Sequence, residues 1–149
     1  MEKIHIIQDF VVPKERVFDF FSDHERWAEI YPGAFKRVVN STDPTNVNGI
    51  GSVRRITNFP IIFEETITKY QPYELIEYRI TEGAMPIKYH LGTMKFYDLD
   101  NGAKSRLDYT IEIRTRFPLT GFIIKNILEN VIGRGVRNLS KKFKADSRF

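Results

Sequence analysis

The chain has 149 residues, of which 42% are hydrophobic and 28% charged, and its net charge is +4. This length suits one domain, and the composition supports a hydrophobic core rather than disorder along the whole chain. Cysteine is absent, which excludes disulfides, thiolate metal sites and a cysteine nucleophile. We find no signal-peptide pattern and no apolar run long enough to span a membrane. We therefore expect one cytoplasmic domain over residues 1–149.

The N-terminal part predicts a strand followed by two short helices. Residues 3–12 alternate, so that Gln8 and Phe10 lie on one face of a strand. Pro13 then opens a helix, because proline suits the first helical turn. A second helical piece over residues 24–30 carries Trp27, and the Tyr-Pro-Gly sequence at 31–33 ends it.

The middle of the chain predicts six strands separated by turns. The Asn-Gly pair at 101–102 is a strong hairpin signal between two alternating segments. Residues 106–116 alternate most regularly, which indicates a sheet with one dry and one wet face. The predicted strands cover residues 35–41, 51–58, 61–70, 75–82, 89–99 and 106–116.

The C-terminal residues 119–144 predict one long helix of about 39 Å. Its apolar stripe consists of Ile124, Leu128, Val131, Ile132, Val136, Leu139 and Phe143. Gly135 lies near the middle of this stripe, where glycine costs about 1 kcal/mol relative to alanine. It either leaves space for a ligand or permits a close contact between helix and sheet.

These elements predict an α+β fold. Strands joined by short turns form an antiparallel meander, and only the last helix is long enough to cover its dry face. The order resembles the START-like or SRPBCC (helix-grip) superfamily, in particular its polyketide cyclase/dehydrase and lipid-transport branch. The residues that carry the resemblance are 12–18 (Val-Pro-Lys-Glu-Arg-Val-Phe), Asp23, Trp27, Tyr31-Pro32, Ile50-Gly51, Gln71-Pro72, Met94, Phe96 and Asp98.

The resemblance covers almost the whole chain and implies a fold more than a reaction. It implies a curved sheet of about seven strands wrapped around the C-terminal helix, with two short helices between strands one and two. A pocket between sheet and helix is expected. Members of the superfamily include ligand carriers, lipid and steroid binders, aromatase/cyclases, hormone receptors and cochaperones.

The predicted inner face supplies candidate ligand contacts, apolar in the main with a few polar groups. His90 shares a strand face with Met94 and Phe96, and each polar member is either a ligand contact or a satisfied core residue. The candidates are Gln8, Phe10, Trp27, Tyr78, His90, Met94, Phe96, Tyr109, Ile111, Leu128, Val131, Ile132 and Gly135.

Two adjacent acids, Glu64 and Glu65, lie in one predicted strand, so that one of them must point inward. An inward carboxylate in an apolar cavity could act as an acid. The structural alternative is pairing with Arg54 or Arg55 on the neighbouring strand. Glu64, Glu65, His90 and Tyr78 are the candidates for catalysis.

Three functional hypotheses follow. The first is a carrier or sensor of a hydrophobic small molecule such as a lipid, isoprenoid or aromatic compound. The second is a polyketide cyclase, aromatase or dehydratase that uses acid–base residues in the same pocket. The third is an interaction or membrane-surface module built on the basic C-terminal residues Lys141, Lys142, Lys144 and Arg148.

Motifs for other functions are lacking in the sequence. The three histidines have no ligand spacing, and no phosphate loop or nucleophile elbow occurs. We therefore expect no metal, no cofactor, no nucleic-acid partner and no stable membrane insertion, and a monomer or weak homodimer.

Overall fold

The computed structural model describes residues 1–149 and consists of one sheet, two α-helices and two short 3₁₀ helices. The α-helices are α1 (Lys14–Ser22) and α2 (Thr120–Ala145), and the 3₁₀ helices cover His24–Glu29 and Asp100–Gly102. The strands are β1 (Glu2–Phe10), β2 (Ala34–Val39), β3 (Val53–Asn58), β4 (Ile61–Gln71), β5 (Leu75–Gly83), β6 (Ile87–Leu99) and β7 (Lys104–Thr115). This confirms the α+β helix-grip fold.

The seven strands pair antiparallel in the order β1-β7-β6-β5-β4-β3-β2. From β2 to β7, neighbours in the sheet are also neighbours in sequence, as predicted for a meander. β1 and β2 lie at opposite edges, so α1 and the first 3₁₀ helix carry the chain between them. The wet and dry faces of β7 are confirmed, since every second residue from Ser105 to Ile113 is buried.

Pairing between β5 and β6 stops partway along the strands. Residues 75–78 pair with residues 92–95, and beyond Tyr78 the two strands are no longer paired. At this point the main-chain N–H of Ile80 donates to the Nδ1 atom of His90 over 3.3 Å. The histidine ring therefore replaces a strand-to-strand hydrogen bond where the sheet opens.

The boundaries of the helices and strands in the structure differ from the predicted boundaries by two residues or fewer. β1 ends at Phe10 instead of residue 12, and β2 ends at Val39 instead of residue 41. The earlier end of β2 has a local cause, because the Ser41 hydroxyl accepts a hydrogen bond from the Asp43 N–H over 3.0 Å and starts a turn. α1 begins directly after Pro13, as expected.

The two halves of α2 face different surroundings. Its C-terminal half buries Val136, Leu139 and Phe143 completely against the sheet and α1 side of the core. Ring stacking is dense in this region, where Phe143 meets Phe10 edge-to-face at 6.1 Å. The N-terminal half instead has no fully buried side chain before Gly133, and a cavity lies beneath it.

Candidate functional site

A cavity of about 360 Å³ lies between the sheet and the N-terminal half of α2. Twenty-three residues line it, of which 18 are hydrophobic. They come from the first 3₁₀ helix and the loop after it, from β2 to β7 and from α2. The volume falls in the range of small-molecule sites, and burying an apolar ligand there would contribute about 25 cal/mol per Å².

Most of the predicted ligand contacts lie on the cavity wall. The aromatic members surround its inner end, and the α2 members form one side. Whether they bind a ligand stays a prediction, but the structure brings together Trp27, Tyr78, His90, Tyr109, Ile111, Leu128, Val131 and Ile132.

Four other predicted contacts lie in the packed half of the molecule. Gln8 is half-buried, and its Nε2 donates to the carbonyl of the next residue over 2.9 Å. Phe10 packs on Phe143, while Met94 and Phe96 are fully buried in the aromatic core. The strand period gave the correct face for these residues but not their position along the strand.

Gly135 does not line the cavity either. A Cβ atom there would lie 2.3 Å from Cε1 of Tyr31 and 2.8 Å from the carbonyl oxygen of Ile30. The glycine therefore permits close contact between α2 and the Tyr31 ring. Because Tyr31 also lines the cavity, its ring forms the boundary between cavity and core.

Both glutamates pair with arginines of β3, which matches the structural alternative. Glu65 faces inward, is 7% exposed, and accepts from Nε of the fully buried Arg54 over 2.5 Å. Glu64 faces outward and pairs with the exposed Arg55 at 2.7 Å. The strand register places Arg54 directly opposite Glu65, and Arg55 directly opposite Glu64. Only Glu65 reaches the cavity wall.

A buried chain of hydrogen bonds continues from Arg54 away from the cavity. Its Nη1 lies 3.4 Å from Nδ1 of His24, whose Nε2 lies 2.8 Å from the hydroxyl of Ser52. Ser52 donates to the carbonyl of Gly49 over 2.7 Å, so its oxygen must accept from His24. The imidazole therefore carries its proton on Nε2 and accepts from Arg54 on Nδ1.

His24 is consequently held neutral. Burial, followed by the charges of Arg54 and Arg37, lowers the pKa of His24 from 6.5 to about 3. A protonated ring would place an N–H against the guanidinium of Arg54. The network thus fixes Arg54 in one orientation, with its charge balanced by Glu65 alone.

Arg54 also supports the aromatic end of the cavity. Its Cζ atom lies 3.5 Å from the ring centroid of Trp27 and 4.7 Å from that of Tyr78, both within cation–π range. Its Nη2 atom is buried without a hydrogen-bond partner. The guanidinium thereby sets the positions of two wall residues and holds Glu65 beside them.

A pair of tyrosines closes the inner end of the cavity. The hydroxyls of Tyr78 and Tyr109 hydrogen-bond to each other, and both side chains are buried. Gly92 makes this possible, since a Cβ there would lie 2.3 Å from Cζ of Tyr78. Burial raises the pKa of Tyr78 and of Tyr109 well above the ordinary value, so both stay neutral.

Two further polar groups lie at the same end. Burial lowers the pKa of His90, and because Nδ1 accepts from Ile80, the neutral ring carries its proton on Nε2. The hydroxyl of Tyr31 is buried with no hydrogen-bond partner. Chemically, this end offers neutral hydroxyl and imidazole groups and one ion-paired carboxylate. It is built for hydrogen bonding to a polar group rather than for holding a free charge.

Sequence reasoning missed several wall residues. Tyr31 enters the sequence analysis as the end of a helix and as part of the family resemblance, but not as a ligand contact. Two others had a usable signal, because Ile56 and Phe63 share a strand face with Arg54 and Glu65 respectively. The remaining missed wall residues include Phe35, Ile61, Ile80, Met85, Ile87, Ile124 and Ile127.

The structure contains no group of three or more His, Asp or Glu side chains placed to hold a metal ion. None of its helices is sufficiently long and apolar to cross a bilayer.

The curved sheet, the long helix across it and the apolar cavity between them define a START-like protein. The chain belongs to the family described as polyketide cyclase / dehydrase and lipid transport, which matches residues 1–148. No curated protein matches the sequence.

Solved structures share this fold at low identity. A START superfamily protein from Mycobacterium smegmatis is 12% identical, with 96% of this chain and 97% of that chain covered and a TM-score of 0.77. The di-domain ARO/CYC BexL is 14% identical, with 97% of this chain and 47% of that chain covered and a TM-score of 0.74. Norcoclaurine synthase from Thalictrum flavum is 15% identical, with 93% and 85% covered and a TM-score of 0.68. These likenesses show the fold alone.

Proposed function

We propose that this protein binds a hydrophobic small molecule in the cavity and carries or senses it. The observation that carries the proposal is the cavity itself, about 360 Å³ in volume with 18 hydrophobic residues among the 23 that line it. A lipid, an isoprenoid or an aromatic, polyketide-like compound fits such a lining. Filling an apolar cavity restores dispersion contacts that its walls otherwise lack.

The polar groups at the inner end suggest that this molecule carries one uncharged polar group. A buried hydroxyl without a partner costs about 1–3 kcal/mol, and the hydroxyl of Tyr31 is in that position. A ligand carbonyl or hydroxyl would remove this cost if the Tyr31 ring, which lines the cavity, turned its enclosed hydroxyl toward the ligand. His90 and the Tyr78–Tyr109 pair offer further hydrogen bonds beside it.

Native mass spectrometry of the protein purified from its source, followed by solvent extraction, tests this proposal. We expect a discrete lipid-like or aromatic mass that copurifies. Val131→Trp places an indole in the cavity and should abolish the added mass. Asn130→Trp, on an exposed and non-lining position of the same helix, is the matched control and should keep it. A folded wild-type protein that neither copurifies with nor takes up any apolar compound would contradict the proposal.

A cyclase, aromatase or dehydratase is the second candidate function. The observation that favours it is the convergence of the Tyr78 and Tyr109 hydroxyls beside Glu65 and His90 on one cavity wall. Such groups could hold a poly-carbonyl chain in one conformation and donate a proton to it. The structure gives no free base at this end, since Glu65 is bound by Arg54.

Single-turnover assays with polyketide-like ligands separate the two functions. If the protein is an enzyme, Tyr78→Phe should lower the rate of product formation while binding changes little. If it is a carrier, the extracted compound returns unchanged after prolonged incubation with wild-type protein.

A further inference from the structure

Large hydrophobic side chains are exposed mainly at one end of the molecule. Six of them, between 52% and 90% exposed, define what we call the apolar rim: Phe59, Met85, Phe117, Leu119, Phe122 and Ile123. Isolated exposed hydrophobic residues are ordinary, but a cluster at one end marks an interaction surface.

Topology explains why these residues meet. β3, β5 and β7 run in the same direction, because each is separated from the next by one antiparallel strand. The turns that follow them, at residues 59–60 and 84–86, and the connection at 116–119 therefore lie at the same end of the sheet. α2 begins at this end, which brings its first turn beside the three loops.

Leu119 is the most exposed member of the rim and has a costly backbone conformation. Its side chain is 90% exposed, and its φ of +69° lies in the left-handed region that favours glycine. Folding alone gains nothing from a strained leucine in water. The two features together indicate that this side chain serves a contact outside the molecule.

The rim is continuous with the mouth of the cavity. Ile61, Met85 and Ile127 line the cavity and are also 54%, 63% and 56% exposed. The cavity therefore opens through the rim. An apolar molecule could pass between the cavity and whatever covers the rim without crossing a polar surface.

The charges around the rim are positive on balance. Residues 113–128 contain Arg114, Arg116 and Lys125 without an acid, and Lys88 follows the 84–86 turn, whereas the nearby acids are Glu82 directly before that turn and Glu2 beside Gly121. Two copies docked through this end would bring two surfaces of net positive charge together, which disfavours a homodimer. Cations beside exposed Leu, Phe and Ile side chains complement anionic lipid headgroups.

We propose that the apolar rim docks this protein on the surface of an anionic lipid bilayer, with Leu119 and Phe122 inserted among the lipid headgroups and the cavity mouth facing the membrane. This interaction is peripheral. It is separate from the basic C-terminal residues at the other end of α2, of which Lys141 and Lys144 are exposed.

Vesicle flotation tests the proposal. We expect the wild-type protein to float with vesicles of phosphatidylcholine mixed with phosphatidylglycerol, and to bind those of phosphatidylcholine alone more weakly. Leu119→Ser with Phe122→Ser should weaken binding by about tenfold or more, since two apolar insertions are lost. Ile7→Ser with Ile50→Ser removes two exposed hydrophobic residues elsewhere and is the matched control.

Charge variants distinguish the two ends of α2. Arg116→Gln with Lys125→Gln should weaken binding to the anionic vesicles, whereas Lys141→Gln with Lys144→Gln should not. The cavity variant Val131→Trp should still float, which separates failure of this proposal from failure of ligand binding. The proposal is overturned if wild-type protein binds neither vesicle, if the rim variant floats like its control, or if the rim proves to hold a second copy that Leu119→Ser with Phe122→Ser releases.

Discussion

Alanine substitutions at two glycines of α2 should change the stability of the protein in opposite directions. Alanine inside a helix is favoured over glycine by about 1 kcal/mol, and Gly133 and Gly135 are both interior positions. On helix propensity alone, both variants would be more stable than the wild type.

The surroundings of the two positions decide the sign. At Gly133 the new Cβ would meet only the flexible end of Arg137, at 3.1 Å, and that side chain can move. At Gly135 it would lie 2.3 Å from the Tyr31 ring and 2.8 Å from the main-chain oxygen of Ile30. Overpacking of this kind costs about 1–3 kcal/mol, and the clash with the backbone favours the upper part of that range.

We therefore expect Gly133→Ala to raise the free energy of unfolding by about 0.5–1 kcal/mol and Gly135→Ala to lower it by about 1–2 kcal/mol. Urea denaturation measures both, and the melting temperature should shift by about 2–4 °C per kcal/mol. Displacement of the Tyr31 ring should also weaken ligand binding in Gly135→Ala alone. Equal stabilisation of both variants would refute the close contact and restore the interpretation of Gly135 as space for a ligand.

Three further perturbations test the inner end of the cavity and the buried hydrogen-bond network behind it. Glu65→Gln leaves Arg54 buried without a counter-charge and should lower the free energy of unfolding, measured in urea, by about 3–5 kcal/mol. Glu64→Gln, on the exposed pair, should lower it by under about 1 kcal/mol. Equal losses in the two variants would contradict the assignment of Glu65 as the inward acid. His24 has a folded pKa below its unfolded value of 6.5, so its contribution is present above pH 6.5 and is lost as the pH falls toward about 3. The free energy of unfolding should drop by roughly 1 kcal/mol per pH unit on this account, and a slope unchanged in His24→Gln would show that other groups cause it. Gly92→Ala should separate the two cavity tyrosines and weaken ligand binding, and binding at the wild-type level would exclude the close approach at Gly92.

Periodicity predicted the elements because each strand and helix has one dry side. β7 alternates without interruption from Ser105 to Ile113, and the Asn-Gly turn fixes where the preceding strand ends. Residues that face inward could therefore be named. Periodicity does not indicate the position along a strand at which the packed core ends and the cavity begins. Phe10 and Phe96 were for this reason predicted to contact a ligand, although they lie in the packed core.

Contacts between residues that are distant in the sequence also could not be predicted from local sequence patterns. Nothing near Gly135 in sequence indicates that Tyr31, more than a hundred residues earlier, fills the space beside it. The inward glutamate, in contrast, could have been identified from the sequence. A two-residue turn at Phe59-Pro60 fixes the hairpin register, and this register alone places Arg54 opposite Glu65 and Arg55 opposite Glu64.

The division of α2 accounts for a cavity in a domain of this size. Val136, Leu139 and Phe143 anchor the C-terminal half of the helix in an aromatic core, so the N-terminal half needs no full packing beneath it. An unfilled cavity nevertheless forgoes contacts, and the cost grows with its volume. A ligand that fills it supplies those contacts to the folded state alone, so ligand binding and the stability of this half of the helix are thermodynamically linked.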